Sequence, residues 1–302
     1  MRITVLCGGP SSERGISLIS GKAVAAALAA AGHDVFVADI SPTELSALDT
    51  PADVIFPVLH GDFGESGELQ DILEERDLPF VGSGAKASRL GMDKIAAKQV
   101  WRDAGLPTPG WRVLREPPRE PGALGLPVIV KAIRSGSSID VCVCRDEAAV
   151  TKAAASLLER HGEVMMEEFV SGTEITVGLL ENVALPPIRI ETSHAFFDYS
   201  AKYTAGGATH SFDTHLSAGV IADCKSLAEN ASRLLGCRDL GRVDIIVAAD
   251  GTPQLLEINT IPGFTAVSLL PEAAARAGVP FVELVDRLVH LAAGRAAVLA
   301  TT

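Results

Sequence analysis

The segment Leu256-Glu257-Ile258-Asn259-Thr260-Ile261-Pro262-Gly263 sets two polar side chains into an apolar strand and ends in a tight turn. Residues two apart on a strand point to the same face, so Glu257 and Asn259 share one face. A carboxylate in an apolar strand needs a compensating partner. Carboxylate and amide oxygens are hard ligands of the kind that Mg²⁺ takes, together with phosphate oxygens. The segment therefore indicates a magnesium site beside a turn.

A second apolar strand precedes this segment, and the Asp250-Gly251 pair between the two strands is a hairpin signal. Arg242 and Asp244 lie two apart on the earlier strand and point to one face. If the two strands pair, one cation and three oxygen donors converge. Surface carboxylates on an edge strand are the alternative, and the apolar neighbours Ile245 and Ile246 argue against it.

The Pro262-Gly263 turn follows the metal strand directly. Glycine after proline allows a tight turn and leaves a backbone N–H that can meet a ligand. Beside a metal and Arg242, the N–H of Gly263 can help to stabilise an oxyanion. On its own, the pair indicates only a turn.

Composition narrows the class of protein. A chain of 302 residues is longer than one typical domain core and predicts two or three subdomains. A net charge of −12 argues against general nucleic-acid binding. Five cysteines without paired CxxC motifs argue against zinc and fit reduced thiols in a cytoplasmic protein. The N-terminus reads as a strand rather than a signal peptide, and the longest apolar stretch, residues 23–31, is too short to span a bilayer.

The first ninety residues alternate strand and helix, which predicts a parallel sheet. The loop Gly8-Gly9-Pro10 lacks G-x-G-x-x-G, so a nicotinamide oxidoreductase is not supported. Glu13 beside this loop would suit an ammonium group. His60 ends another strand, and ligands usually bind at the carboxyl ends of parallel strands. A purely structural His60 is the alternative.

Two segments in the middle of the chain suit a nucleotide. Lys131 ends an apolar strand and is followed by Ser135-Gly136-Ser137-Ser138, which can cover phosphates or form a plain hairpin turn. Glu167-Glu168-Phe169-Val170, with Glu174 beyond it, can stack a base on Phe169 and bind ribose hydroxyls through a carboxylate. A solvated strand end is the alternative for this second segment.

In this order, the motifs resemble those of the D-alanine–D-alanine ligase family in the ATP-grasp superfamily, and the resemblance covers nearly the whole chain. The matching motifs are Gly8-Gly9, Ser12-Glu13-Arg14, Leu59-His60-Gly61, Gly82-Ser83-Gly84, Met92-Asp93-Lys94, Val128-Ile129-Val130-Lys131, Gly136-Ser137-Ser138, Asp198-Tyr199, Ala201-Lys202-Tyr203, Gly241-Arg242-Val243-Asp244, Glu257-Ile258-Asn259-Thr260, Pro262-Gly263-Phe264-Thr265 and Ser268-Leu269.

The resemblance implies a three-subdomain ATP-grasp fold that combines α/β and α+β parts. An N-terminal parallel-sheet domain would span residues 1–92 and a central lid residues 93–176. The C-terminal domain, residues 177–302, would carry the metal site and a mobile loop. ATP would lie between the last two parts, and the amino acids where all three meet.

The resemblance also implies a reaction. ATP phosphorylates the carboxylate of one D-alanine, and the amine of a second attacks the acyl phosphate, giving D-alanyl-D-alanine for peptidoglycan, the cell-wall polymer that sets cell shape. Two Mg²⁺ ions, or Mn²⁺, would assist. The partners would be small molecules, without nucleic acid or membrane, in a cytoplasmic homodimer.

The family's residue roles carry over by motif. The nucleotide would contact Lys94, Lys131, Ser138, Glu167, Glu168, Phe169, Val170, Glu174, Lys202 and Asn259. The metal ligands would be Asp244, Glu257 and Asn259. The oxyanion would face Arg242 and Gly263, and a hydrogen-bonded trio that closes the loop would be Glu13, Ser137 and Tyr203. The substrates would also contact Glu13, His60, Ser268 and Leu269.

Three departures from the family pattern bear on substrate choice. Ser135 replaces a usual glutamate, Asp140 replaces a usual glycine near the phosphate loop, and residues 209–218, with His210 among them, are more polar than the family's. A related ligase with another second substrate, in a specialised biosynthetic or resistance pathway, is therefore an alternative. The family's lactate-using members tend to carry phenylalanine at the position of Tyr203, so the resemblance favours an amine over D-lactate. A catalytically inactive nucleotide-binding protein is a further alternative, which the complete metal set opposes.

Overall fold

A computed structural model describes residues 1–136, 140–192 and 208–299 of the chain. The N-terminal part contains three parallel strands, β1 (Arg2–Cys7), β2 (Asp34–Asp39) and β3 (Val54–Pro57), in the order β2-β1-β3. The helices of this part are α1 (Arg14–Ala30), α2 (Asp62–Glu65), α3 (Glu68–Glu75) and α4 (Ala85–Met92), with a 3-10 turn at Ser46–Asp49. The predicted parallel sheet is confirmed.

A four-stranded antiparallel sheet forms the middle of the chain. Helix α5 (Lys94–Asp103) precedes it, and the carboxylate of Asp93 caps this helix by accepting a hydrogen bond from Ala96 N at 2.9 Å. The sheet has the order β4-β7-β5-β6. Its elements are β4 (Trp111–Leu114), β5 (Val128–Ala132), β6 (Val141–Cys144), α6 (Glu147–His161) and β7 (Val164–Glu168). Helix α6 covers one face of the sheet with Val150, Ala154 and Leu157.

A six-stranded sheet forms the C-terminal part, in the order β11-β10-β8-β12-β13 with β9 paired to β8. Its strands are β8 (Gly172–Leu180), β9 (Val183–Ala184), β10 (Ile188–Thr192), β11 (Ala208–Ser211), β12 (Leu240–Ala248) and β13 (Pro253–Asn259). The accompanying helices are α7 (Ala218–Leu235), α8 (Leu269–Arg276) and α9 (Phe281–Leu299).

The cores join parts that are distant in sequence. Trp101 of α5 is fully buried with the β8 and β12 residues Val177 and Val243, so this helix packs on the C-terminal sheet. Leu284 and Leu288 of α9 share a core with β1 and β3. The division at residues 92 and 176 remains a proposal. This packing supports placing α5 and all of β8 with the C-terminal part.

The described residues include no helix that is both long and apolar enough to cross a membrane. All five cysteines are free thiols in this structure.

Candidate active site

The hairpin of β12 and β13 brings the predicted polar residues together. Arg242 lies directly opposite Asn259, and Asp244 lies directly opposite Glu257. The register shifts after Asp244, at an irregularity before Ile245. The predicted pairing of the two strands is therefore confirmed. The irregularity was not predicted, because the alternating pattern of these strands carries no mark of an extra residue.

Arg242 and Asp244 form a two-point ion pair. Arg242 donates from Nε to Asp244 Oδ1 at 3.0 Å and from Nη2 to Oδ2 at 2.9 Å. Thr176 of β8 donates to the same Oδ1 at 2.5 Å. Burial alone would lower the pKa of Arg242, but the charge of Asp244 and its hydrogen bonds outweigh burial, and the pKa is raised. The guanidinium is thus a fixed positive charge at the centre of the site.

A cavity of about 410 Å³ opens beside this pair, where the three parts of the chain meet. It gathers residues from every part of the predicted site. Those lining it are Glu13, His60, Lys94, Glu174, Arg242, Asp244, Glu257, Asn259, Gly263, Ser268 and Leu269. The chain therefore brings these predicted residues to one cavity, and their individual roles remain predictions.

His60 lines this cavity and depends on Glu65, a residue outside the predicted set. Its Nδ1 lies 3.5 Å from Glu65 Oε1, and the other carboxylate oxygen accepts the N–H of Gly61 at 2.9 Å. Burial acts to lower the pKa of His60, but the hydrogen bond to Glu65 and the charges of Glu65 and Glu13 outweigh it, so the pKa is raised. Glu65 thus favours the imidazolium form.

The N-terminus of α8 also borders this cavity. Ser268 is the cap residue, and its Oγ accepts the N–H of Thr265 at 3.0 Å. Leu269 begins the helix. Gly263 lies beside this end of the helix, since a Cβ added to this glycine would be 3.4 Å from Ser268 Oγ. Helix N-termini attract carboxylates through free N–H groups and the helix dipole. This end of the cavity suits an anionic group.

A second cavity, of about 90 Å³, adjoins the first and has apolar walls that include Ile129, Ile246 and Leu256. The predicted nucleotide residues in its lining are Lys94, Lys131, Glu167, Glu168, Phe169, Val170 and Glu174. The residues that line both cavities are Lys94, Ser135, Glu174, Asp244 and Glu257. The second cavity combines an apolar wall with charged side chains and adjoins the charged first cavity, so together they suit the base and the phosphates of a nucleoside triphosphate.

Lys94 sits at the junction of the two cavities. Its Nζ donates to the carbonyl of Ser135 at 2.6 Å and lies 3.3 Å from Glu257 Oε2. Helix α5 holds this lysine, and the capping Asp93 also receives the guanidinium of Arg134 at 2.7 Å. A cation is therefore fixed beside the Glu257 carboxylate of β13.

A buried charge network under the second cavity includes a residue that sequence reasoning missed. Glu167 lies 2.6 Å from Lys131 Nζ and 2.6 Å from the Nζ of Lys98, which is 0% exposed. Burial would raise the pKa of Glu167, but the charges of Lys131 and Lys98 outweigh it and lower the pKa. Burial lowers the pKa of Lys98 to about 8 against the opposing charge of Glu167. The signal that could have revealed Lys98 is its position one turn after Lys94 on α5.

Asp140 turns away from the site. Its carboxylate is bonded to Arg160 and lies 2.6 Å from His161 Nε2, both at the end of α6. Asp140 has φ of 61° and is not among the residues that line the two cavities. The carboxylate therefore pairs with Arg160 and His161 of α6. The predicted residues Ser137, Ser138, Lys202 and Tyr203 lie outside the described ranges.

Comparisons with known proteins agree on one family. The family models described as "D-ala D-ala ligase N-terminus" and "D-ala D-ala ligase C-terminus" match residues 40–83 and 100–290. A D-alanine–D-alanine ligase of Gloeobacter violaceus is 41% identical over 297 residues, which cover 96% of this chain and 98% of the relative.

Solved structures give the same result. A D-alanine–D-alanine ligase of Bacillus anthracis aligns with a TM-score of 0.88 and 32% identity over 98% of both chains. A structure of the Bacillus anthracis ligase complexed with ATP aligns with a TM-score of 0.85 and 29% identity, again over 98% of both chains.

Proposed function

Because this chain belongs to the D-alanine–D-alanine ligase family, we propose that it joins two D-alanine molecules at the expense of ATP, giving D-alanyl-D-alanine, ADP and phosphate. The observation that carries this proposal is the β12–β13 hairpin. Its residues Arg242, Asp244, Glu257 and Asn259 line the first cavity, which adjoins the second. The ATP-bound Bacillus anthracis ligase supports ATP as the nucleotide.

The first step transfers a phosphoryl group. A carboxylate oxygen of the first D-alanine attacks the terminal phosphorus of ATP, the bond to ADP breaks, and an acyl phosphate forms. Lys94 supplies positive charge where the two cavities meet, and Lys131 supplies it within the second cavity. Glu13 and His60 both line the first cavity, and the Glu13 carboxylate is suited to the ammonium end of this D-alanine.

The second step forms the amide bond. The amine nitrogen of the second D-alanine attacks the acyl carbon and loses a proton, and the bond to phosphate breaks. Arg242 and the N–H of Gly263 would stabilise the oxyanion that develops on the acyl oxygen. The N-terminus of α8, at Ser268 and Leu269, would hold the carboxylate of the second D-alanine. The family roles of Ser137, Ser138, Lys202 and Tyr203 are part of the same proposal.

We further propose that Asp244, Glu257 and Asn259 hold two Mg²⁺ ions, with Mn²⁺ as a substitute. Two carboxylates and one amide on opposed residues of a hairpin are a hard oxygen donor set, which fits this ion. Bound there, Mg²⁺ neutralises charge on the phosphate oxygens. A cytoplasmic homodimer that supplies peptidoglycan synthesis, and hence the cell wall and cell shape, completes the proposal.

Phosphate release from ATP, with Mg²⁺, tests the proposal across a panel of D-amino acids and D-lactate. We expect turnover with D-alanine and a dipeptide product of matching mass. Glu257→Gln should lower kcat by about 100-fold or more, since charge stabilisation in a site of this kind is worth that much. Glu159→Gln, an exposed carboxylate on α6, is the matched control and should be unaffected. Binding of ATP without phosphate release for any substrate would instead support a nucleotide-binding protein.

His210 gives a specific reason to test other second substrates. Its imidazole lines the first cavity together with Ser268 and Leu269. Its Nε2 lies 2.7 Å from the carboxylate of Glu272 on α8. A polar group there can form a hydrogen bond with a hydroxyl on the second substrate. If an acceptor amino acid with a hydroxyl side chain is preferred, His210→Ala should raise its KM more than that of D-alanine. Equal changes in the two KM values would exclude this role.

A further inference from the structure

Three potential metal ligands meet where the end of α1 contacts α9. His33 follows α1, and Asp286 and His290 lie one turn apart on α9. Asp286 Oδ1 lies 2.7 Å from His33 Nε2 and 3.8 Å from His290 Nδ1. One ligand atom from each residue falls within 4.8 Å of the other two. None of the three residues lines the cavities of the candidate active site.

The supporting structure fixes these side chains. The side chain of His33 is only 6% exposed, and its backbone N–H donates to Leu28 O at 3.1 Å. Its Nδ1 lies 3.4 Å from the amino group of Met1, which leaves Nε2 facing Asp286. Leu28 of α1 and Val289 of α9 belong to one buried core. The helix that precedes His33 and the helix that carries Asp286 and His290 are therefore packed against each other.

The geometry suits a small divalent ion. Zinc binds imidazole nitrogen and carboxylate oxygen at about 2.0–2.2 Å, so ligand atoms in a tetrahedral site stand about 3.3–3.6 Å apart. The two observed separations from Asp286 lie on either side of this range. Two imidazoles and one carboxylate form a donor set typical of zinc and neighbouring transition metals. The side chain of His290 is 61% exposed, which gives an ion and its water ligand access from solvent.

We propose that His33, Asp286 and His290 bind a zinc-class divalent ion that links the C-terminal helix α9 to the end of α1. Such a site holds two distant parts of the chain together and takes no part in ligation. Paired CxxC motifs are absent from the sequence, but this site uses imidazoles that are 257 residues apart and meet only in the fold. The ion would therefore stabilise the native state over the unfolded one.

Zinc binding by the whole protein tests the proposal. Equilibrium dialysis with Zn²⁺ is carried out in millimolar Mg²⁺, which competes at the hard oxygen ligands of the active site. His290→Ala and Asp286→Asn should each weaken one zinc site by at least about tenfold. Co²⁺ in place of Zn²⁺ should give the wild type a visible absorption band that His290→Ala lacks.

His215→Ala is the matched control, because His215 is 62% exposed and also pairs with an aspartate, at 3.0 Å from Asp213. It should bind zinc like the wild type. Zinc should also raise the Tm of the wild type and of this control, but not that of His290→Ala. Ligase turnover without zinc should be the same in all three proteins. Equal zinc affinity and equal Tm shifts in the wild type and His290→Ala would overturn the proposal.

Discussion

At the scale of single residues, the charge of His60 depends on Glu65. The folded protein raises the pKa of His60, so its protonated form contributes stability below the unfolded-state pKa of about 6.5. This contribution is lost as the pH rises through the folded-state pKa. The pair therefore keeps a positive charge beside Glu13 at higher pH than an isolated histidine would.

Glu65→Gln should lower the pKa of His60. The amide can still accept the N–H of Gly61, but without the carboxylate charge burial becomes the dominant effect on His60. A histidine ring NMR titration of wild type and variant, with the His60 signal assigned from His60→Asn, measures the change. An unchanged titration midpoint would show that Glu65 does not set this charge.

Lys98→Met should be strongly destabilising. It leaves the buried Glu167 with Lys131 alone, and breaking a buried ion pair from one side costs about 3–5 kcal/mol. Urea denaturation gives the free energy of unfolding. The double variant Lys98→Met/Glu167→Gln should recover part of the loss, because the uncompensated charge is gone. A double variant as unstable as the sum of the single ones would rule out coupling between the two residues.

Residues in an unusual local sequence setting were predictable, whereas residues whose partners are brought to them only by the fold were not. Glu257 and Asn259 were visible because polar side chains interrupt an apolar strand. Lys98 looks like any surface lysine of a helix, and only the approach of β7 makes it a buried partner of Glu167. Glu65 likewise gained its meaning from contact with His60.

At the scale of elements, the pairing of β12 with β13 was predictable because alternation and an Asp-Gly turn are both local signals. The strand β11 was not predicted within residues 209–218, since its polar sequence lacks an apolar face and its pairing with β10 supplies the hydrogen bonds. The effect of Asp140 was also open, because its carboxylate direction depends on the distant end of α6.

Asp140→Gly should leave ATP turnover close to the wild type, because this carboxylate faces α6 rather than either cavity. Asp140→Ala removes the same carboxylate. Alanine is strained at a φ of 61°, whereas glycine adopts this left-handed conformation readily. We expect the alanine variant to be about 1 kcal/mol less stable than the glycine variant in urea denaturation. A large loss of turnover in both variants would mean that the contact with α6 also positions the phosphate loop.

At the scale of the whole molecule, the C-terminal helix completes the N-terminal part. Alternation of strands and helices predicted the N-terminal sheet, but no local pattern reveals that α9, more than 200 residues away, supplies part of its core. Polar contacts also join α9 to the N-terminal part. Arg295 of α9 donates to Phe80 O at 2.8 Å and to Asp239 Oδ2 at 2.8 Å, and Asp239 accepts the N–H of Gly82 at 2.8 Å.

Arg295→Met should therefore weaken the whole fold. It would leave Asp239, which is 4% exposed, without its cation, and removing one partner of a buried pair costs about 3–5 kcal/mol. We expect a value near the lower end, about 3 kcal/mol, because Arg295 itself is 29% exposed. The free energy of unfolding from urea denaturation, followed by circular dichroism, measures the effect.

Arg287→Met on the same helix is the matched control. It forms an ion pair with Glu181, and the two side chains are 46% and 34% exposed. Exposed ion pairs contribute about 0–1 kcal/mol to the free energy of unfolding. Both variants remove one guanidinium from α9 and keep a similar aliphatic stem, so helix propensity and net charge change equally. If their free energies of unfolding differ by about 2 kcal/mol or more, the difference is the contribution of the buried Arg295–Asp239 pair. If the two variants are equally stable, the Arg295–Asp239 ion pair does not help to join the N- and C-terminal parts.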